Sequence, residues 1–329
     1  MPFREIRSCF VTGGTGFIGS HLVDHLLSGG CEVRCLVRDR RRLRWLQGKP
    51  VTLLEGDLGS TGILREGASG VDAVFHLAGV VAARSREEYF SVNVKGSLGV
   101  AKASLEASPP PGLFLFMSSL AAIGPGRTDE SMDETREPRP VTDYGRSKLE
   151  AERQLGVIRD LPLVVARPPA VYGPRDREIL PLFRLAGRGF VPIFNPEARL
   201  SLIHVEDLVK GLVAAGAGGK TGEAYFLAHP ETVVAARLPE LLGHAVGRKV
   251  RGFRVPGAML KASAAASETW GILTGRMPVF NRGKVKELTA SGWVCDLERS
   301  EKDLGFTAGI DAMEGFRRTV LWYREQGWM

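Results

Sequence analysis

An apolar run, Ser8-Cys-Phe-Val-Thr12, ends in glycines spaced G-x-x-G-x-x-G at Gly13, Gly16 and Gly19 and passes directly into a helical pattern. A strand that stops in a tight glycine turn and hands over to a helix presents free N–H groups and the positive end of the helix dipole at one point, where a pyrophosphate is stabilised. Glycine is needed because backbone must come close to the anion. The spacing alone would also suit a flexible turn; its place between a strand and a helix favours a nucleotide-binding βαβ unit.

The chain continues as that unit requires. Short apolar runs at Glu32–Val37, Val51–Glu55, Ala73–Leu77, Leu113–Ser118 and Leu163–Arg167 alternate with helical stretches that begin near Gly16, Ser91 and Asp143. Continuous apolar runs separated by helices mark strands buried on both faces of a parallel sheet. The expected fold class is α/β, a doubly wound parallel sheet with a smaller C-terminal substrate-binding lobe. The nucleotide-binding part is expected over residues 1–170, with 201–228 returning to it, and the lobe over 171–200 and 229–329. Within those parts the sequence predicts a helix at Glu206–Ala215, a strand at Glu223–Leu227 and a final amphipathic helix at Ala312–Glu325.

Composition narrows the class of protein. Hydrophobic residues at 44% and charged residues at 25% exclude a disordered, collagenous or coiled-coil chain. Cys9, Cys31, Cys35 and Cys295 have neither C-x-x-C spacing nor the density of a disulfide scaffold, so they read as buried thiols in a reducing compartment. A charged beginning and no continuous apolar stretch of about 20 residues argue for a cytoplasmic protein without stable membrane insertion. The net charge of +7 lacks a basic stripe with interleaved aromatics, so no nucleic acid is expected. His21 and His25 stand one helical turn apart without a third ligand, and no metal is expected.

The end of the second strand bears on the cofactor. An acid about 20 residues after the glycine turn binds the ribose hydroxyls of NAD, whereas arginine accommodates the 2′-phosphate of NADP. Arg38 holds that place, followed by Arg40, Arg41, Arg42 and Arg44, which points to NADP(H). Asp39 would serve a ribose and NAD(H) if the register moved by one. After the third strand, Asp57 is placed to hydrogen-bond the adenine amino group.

Tyr144-Gly-Arg-Ser-Lys148 puts a phenol and an ammonium on one helix face. With a lysine and an oxidised nicotinamide nearby, a phenol exchanges protons near neutrality. A hydroxyl at the tip of the preceding strand, in Phe116-Met-Ser-Ser119, would bind the substrate oxygen.

Together Thr12-Gly-Gly-Thr-Gly-Phe-Ile-Gly19, Gly56-Asp-Leu58, His76-Leu-Ala-Gly79, Asn93, Ser118-Ser119, the Tyr144/Lys148 pair and Arg167-Pro-Pro-Ala-Val-Tyr-Gly-Pro174 resemble the extended short-chain dehydrogenase/reductase family, also labelled NAD-dependent epimerase/dehydratase. The likeness extends through Ser201-Leu-Ile-His-Val-Glu-Asp-Leu208. It implies a Rossmann-type fold, Tyr144 as acid/base, Lys148 on the nicotinamide ribose and lowering the tyrosine pKa, and Ser119 on the substrate oxygen. It further implies cofactor contacts from Thr15, Phe17, Ile18, Leu58, Leu77, Ala78, Gly79, Asn93, Pro168 and Val171, and a homodimer. Ser118 remains the competing hydroxyl.

Three departures bear on the reaction. Ala121-Ala122 replaces the Asp-Glu of nucleotide-sugar dehydratases, Ala170 replaces an asparagine of many sugar epimerases, and Arg38 replaces the acidic pattern of enzymes that retain NAD. Hydride transfer between NADP(H) and a secondary alcohol or ketone is therefore expected, with a nucleotide-sugar epimerase holding tightly bound NAD as the alternative. In that alternative Arg188, Arg199, Arg276 and Arg282 are candidate diphosphate ligands. Val255 to Gly275, with Met259, Leu260, Trp270, Ile272 and Leu273, reads either as a core helix or as an apolar wall for a hydrophobic substrate or a membrane. His204 and Asp207 are expected to start a helix at the junction of the two parts.

Overall fold

A computed structural model describes residues 5–274 and 282–329, without the side chains of 268–274. The strands are β1 (Ser8–Thr12), β2 (Glu32–Val37), β3 (Thr52–Glu55), β4 (Ala73–His76), β5 (Leu113–Met117), β6 (Leu163–Arg167), β7 (Ala170–Tyr172), β8 (Phe190–Ile193), β9 (Arg199–Leu200), β10 (Leu202–His204), β11 (Ala224–Phe226), β12 (Val233–Val234), β13 (Arg251–Arg254) and β14 (Gly292–Trp293). Seven form one parallel sheet in the order β11-β6-β5-β4-β1-β2-β3. Every residue of β4, β5 and β6 is buried, as strands covered on both faces must be. The order reverses between β1 and β4. Ligands of open α/β sheets bind in the crevice at the carboxyl ends of such a pair.

Helices cover both faces. On one side α1 (Phe17–Ser28) packs Leu22, Val23 and Leu26 against the sheet, joined by Leu208, Val209 and Leu212. On the other, α2 (Thr61–Ala68), α4 (Ser97–Leu105) and α5 (Asp143–Gly156) contribute Leu64, Val100, Ala101, Ala151 and Leu155. Between β4 and α4 lies α3 (Arg86–Phe90), which runs into a wide π-helical turn at Ser91–Gly96. Such turns concentrate at functional sites.

The smaller part is built from α6 (Leu180–Gly187), α8 (Leu238–Val246), α9 (Gly257–Thr274), α10 (Arg282–Thr289) and α12 (Ala312–Glu325), whereas α7 (Val205–Gly218) and α11 (Glu298–Leu304) pack on the main sheet. Phe183, Leu241, Leu242, Phe316, Val320 and Tyr323 form its own core. Asp207 joins the two parts: its carboxylate accepts from the N–H groups of Gly309 at 2.8 Å and Ile310 at 2.7 Å. His204 caps α7 by accepting from the Glu206 N–H. His21 bonds to the Pro174 carbonyl at 2.9 Å. The four cysteines are buried and unpaired. No helix among the described residues is long and apolar enough to cross a membrane. Trp270, Ile272 and Leu273 fall among the undescribed side chains and Arg276 outside the described residues.

One buried acid makes stability depend on pH. Asp176 is 2% exposed, and burial pushes its carboxyl up to about 7 against the Glu178 N–H at 2.7 Å. Between about pH 4, where the unfolded carboxyl loses its proton, and 7 the folded chain holds more protons, so stability falls as pH rises through that window. Asp176→Asn is expected to flatten the fall and to raise stability at pH 8 by a few kcal/mol. Urea midpoints of both proteins at pH 5 and pH 8 check this; parallel pH dependence would refute it.

Candidate active site

The crevice between β1 and β4 is shaped by glycine. Gly13 has φ +79°, and a Cβ there would stand 2.7 Å from the Ala78 nitrogen and 2.8 Å from the Leu77 carbonyl carbon. A side chain would be strained and would fill the space between the two strand ends. A Cβ on Gly19 would strike the Gly13 carbonyl oxygen. Gly16 precedes α1 in extended conformation, and neither a side-chain cap nor a first-turn acid closes the helix end. The first N–H groups of an α-helix have no intrahelical acceptor, so this end is a ready anion site. Thr15, Phe17 and Ile18 are half-buried around it.

The floor of the crevice is a buried hydrogen-bond relay. The Ser97 hydroxyl donates to the Asn93 carbonyl at 2.7 Å, which makes it the acceptor for His76 Nε2 at 2.8 Å. His76 Nδ1 then accepts from Thr12 Oγ1 at 2.6 Å, and that oxygen accepts from the Ala78 N–H at 3.3 Å. Burial pushes the imidazole down to about 3, so it stays neutral and holds this direction. The relay fixes Leu77, Ala78 and Gly79 beside the glycine turn.

Gly79, Asn93 and Lys148 converge. A Cβ on Gly79 would lie 2.9 Å from Asn93 Oδ1 and 3.2 Å from Lys148 Nζ. Asn93, on the π turn, accepts from the Val80 N–H at 2.8 Å and donates to the Val80 carbonyl at 3.0 Å and to Ser147 Oγ at 2.9 Å. Its amide thus braces the loop after β4 against α5.

Helix α5 starts where Thr142 accepts from the Gly145 N–H at 3.0 Å, which sets the face carrying Tyr144, Lys148 and Glu152. Burial raises the Tyr144 phenol above its usual value, and the nearby Ser119 hydroxyl opposes the rise. The charges of Glu178 and Glu287 add to the rise. Lys148 is buried and pushed down to about 8, with the Glu152 charge acting the other way. Its ammonium donates to the Met117 carbonyl at 2.8 Å and lies 4.9 Å from the Phe116 ring centre. In the chain alone, burial outweighs any lowering of the phenol by this lysine.

The two serines separate. Ser118 is 2% exposed and its hydroxyl donates to Glu152, which also receives Arg167 Nε at 3.1 Å and Nη2 at 2.6 Å. Ser119 is half-buried; it accepts from the Ala121 N–H at 3.1 Å and meets the Tyr144 phenol. Nothing in the spacing of Glu152 and Arg167 marks them as partners, because β6 brings the arginine to α5 from another segment. The Pro168 carbonyl accepts from the Leu120 N–H at 2.8 Å, which ties the ends of β5 and β6. Val171 lies half-buried on β7 beside Ile203.

At the far end of the crevice the arginines divide. Arg34 donates to carbonyls at the end of α2, Arg40 to the Leu53 carbonyl, and Arg41 and Arg42 pair with Asp39 at 3.0 and 3.7 Å. Arg38 is exposed and forms no hydrogen bond or ion pair among the described residues; its charge helps hold the Asp57 carboxyl below its usual value, behind hydrogen bonds from Gly59 and Ser60. Leu58 is half-buried beside Asp57. In the lobe, Arg199 donates to Thr232 Oγ1 at 2.9 Å and Arg188 is exposed.

A parallel sheet with a glycine turn at its switch point, and a Tyr/Lys helix beside it, is the architecture of the extended short-chain dehydrogenases/reductases, NAD(P)-dependent enzymes. Residues 9–228 match the model of the NAD dependent epimerase/dehydratase family, and the chain belongs to that family. Among its relatives, the ceramide reductase of Caulobacter vibrioides is 33% identical over 322 residues, covering 97% of this chain and 95% of that protein. The 2-alkyl-3-oxoalkanoate reductase of Shewanella oneidensis is 26% identical, covering 95% and 86%. The UDP-glucose 4-epimerase of Thermotoga maritima, solved with UDP-glucose, superposes with a TM-score of 0.78 over 97% of this chain and 99% of that one at 22% identity, a likeness of fold.

Proposed function

We propose that the protein is an NADP(H)-dependent reductase of hydrophobic ketones, interconverting a ketone and its secondary alcohol. The observation that carries this reading is that the Ser119 hydroxyl faces the Tyr144 phenol, one helical turn from Lys148, while the rival Ser118 hydroxyl is spent on Glu152. NADPH, when bound, supplies the hydride that reaches the carbonyl carbon, and NADP takes it back in the reverse direction. Gly13, Gly16 and Gly19 with the open end of α1 would hold the pyrophosphate, and the Leu77–Gly79 backbone would line the crevice. Ser119 donates to the carbonyl oxygen and steadies its growing charge, while Tyr144 gives that oxygen its proton. A raised phenol keeps its proton until the oxygen needs it. Lys148 would hold the nicotinamide ribose and re-establish the phenol's proton. The names of the reductase relatives support a lipid-like ketone, and Ala121-Ala122 gives no acid for dehydration.

The cofactor preference rests on Arg38 and Asp39. The acid that would serve a ribose is engaged by two arginines, while Arg38 is exposed and unengaged. NADPH is expected to exceed NADH in kcat/KM, and Arg38→Ala to lower the NADPH value by about 10- to 100-fold, the worth of a charge-assisted hydrogen bond, with NADH unaffected. Steady-state kinetics with both cofactors and a β-ketoester decide it. Equal use of NADH, insensitive to Arg38→Ala, would refute the preference; NAD that survives gel filtration, with turnover of UDP-sugars, would establish the epimerase instead.

A further inference from the structure

The smaller part carries a face that the reaction does not use. Strands β8 and β13 pair in parallel with Phe190 beside Arg251 and Phe253 beside Pro192. Residues opposite one another across a pair share a face, and alternate residues share it along a strand. Phe190, Pro192, Arg251 and Phe253 therefore point to one side. Val191 and Ile193 are buried on the other, where a Cβ on Gly252 would meet Pro239 and Ile193. On the outer side Phe190 is 52% and Phe253 47% exposed, an uncommon state for two neighbouring aromatic rings. Where α9 begins, Met259 is 62% exposed.

The charge around these rings has one sign. Residues 179–196 and 241–267 contain arginine and lysine and no Asp or Glu. Arg188, Lys249 and Arg251 are exposed and enter no ion pair among the described residues. The acid at the border, Glu240, faces Arg237 at 3.7 Å.

We propose that this face docks the protein on an anionic phospholipid surface. A bilayer interface accepts both halves of the patch: aromatic rings and a methionine settle at headgroup depth while guanidinium and ammonium groups meet lipid phosphates. A nucleic-acid duplex would satisfy the charges and leave the two rings in water. Continuity with the catalytic crevice adds to the argument. Just past β13, Val255 and Leu260 pack with Phe194, Ala264 and Val285, and Val285 sits on α10, whose Glu287 charge reaches Tyr144. The docking inference stands independently of which ketone, if any, the crevice reduces.

The test is co-sedimentation of the full-length protein with vesicles of phosphatidylcholine alone and with about one third phosphatidylglycerol. Binding is expected to the anionic vesicles, to weaken with added salt, and to be slight on phosphatidylcholine. Arg251→Glu is expected to lower the partition coefficient by about 30-fold, and Phe190→Ser/Phe253→Ser to lower it as well. Lys249→Ala is a second charge variant that leaves the strand pair untouched. Circular dichroism and turnover of a water-soluble ketone are expected to stay at wild-type values in all three. Equal partition onto both vesicle types, wild-type binding by the variants, or binding of a DNA duplex in the same salt with the vesicles left bare would each overturn the proposal.

Discussion

Tyr144→Phe is expected to lower kcat by about a thousandfold while NADPH still binds with wild-type affinity. Phenylalanine keeps the ring that packs 6.4 Å from Tyr89 and removes only the hydroxyl that meets Ser119. Loss of a positioned general acid typically removes two to four orders of magnitude, and no other phenol stands at this helix position. The next test separates the serines. Ser119→Ala should lower kcat strongly with little change in melting temperature, because its hydroxyl meets Tyr144. Ser118→Ala should act chiefly on stability, because its hydroxyl is spent on the buried Glu152. Single-turnover reduction together with cofactor fluorescence titration reads both. A Tyr144→Phe enzyme within tenfold of wild type would remove tyrosine from the proton step.

Glu152→Ala is the second large effect, and it acts on the frame. The carboxylate is buried with the guanidinium of Arg167, and the two are joined by two hydrogen bonds. Arg167 Nη1 already lacks a hydrogen-bond partner, and Glu152 is the carboxylate that pairs with this guanidinium among the described residues. Removing one member of a buried pair leaves an uncompensated charge and costs about 3–5 kcal/mol. Stability measured by urea unfolding is expected to fall by that amount, and Glu152→Gln by less, since the amide still receives the Ser118 hydroxyl. The same change has a catalytic signature. The Glu152 charge opposes the burial that pulls Lys148 down to about 8. Without it, Lys148 loses its proton at lower pH, so the alkaline limb of the pH–rate profile moves toward neutrality. An unchanged melting curve and profile would refute both roles.

Much of the main sheet was legible in local pattern. The expected bounds of β1, β2, β6 and α12 coincide with those of the structure, because an apolar run buried on both faces and a strongly amphipathic helix need little outside information. Several ends moved by a residue: β4 stops at His76 rather than Leu77, and β5 at Met117 rather than Ser118, where the chain turns away to build the site. Helix α2 was not expected. Gly62 and Gly67 lower its helix propensity, and it is held by Leu64 and Ala68 packing against the sheet. The helix expected near Ser91 is instead a short helix and a π turn leading into α4, a widening that spacing cannot show.

For the site, spacing along the chain was enough to find the glycine turn and to set Tyr144 and Lys148 on one helix face, since both are properties of a single continuous segment. Those features determine the family and the need for a nicotinamide cofactor. Which serine is free and how Lys148 is buried depend on partners from other segments: Glu152 of α5, held by Arg167 of β6, for the first, and the Met117 carbonyl and Phe116 ring of β5 for the second. The net charge of +7 behaves the same way. In sequence its densest cluster lies before Arg44, yet Arg34 and Arg40 to Arg42 are engaged there within the fold, and the exposed basic face forms only where β8 pairs with β13. Local propensity and periodicity are written into adjacent residues; burial and hydrogen-bond partnership are decided only when distant segments meet.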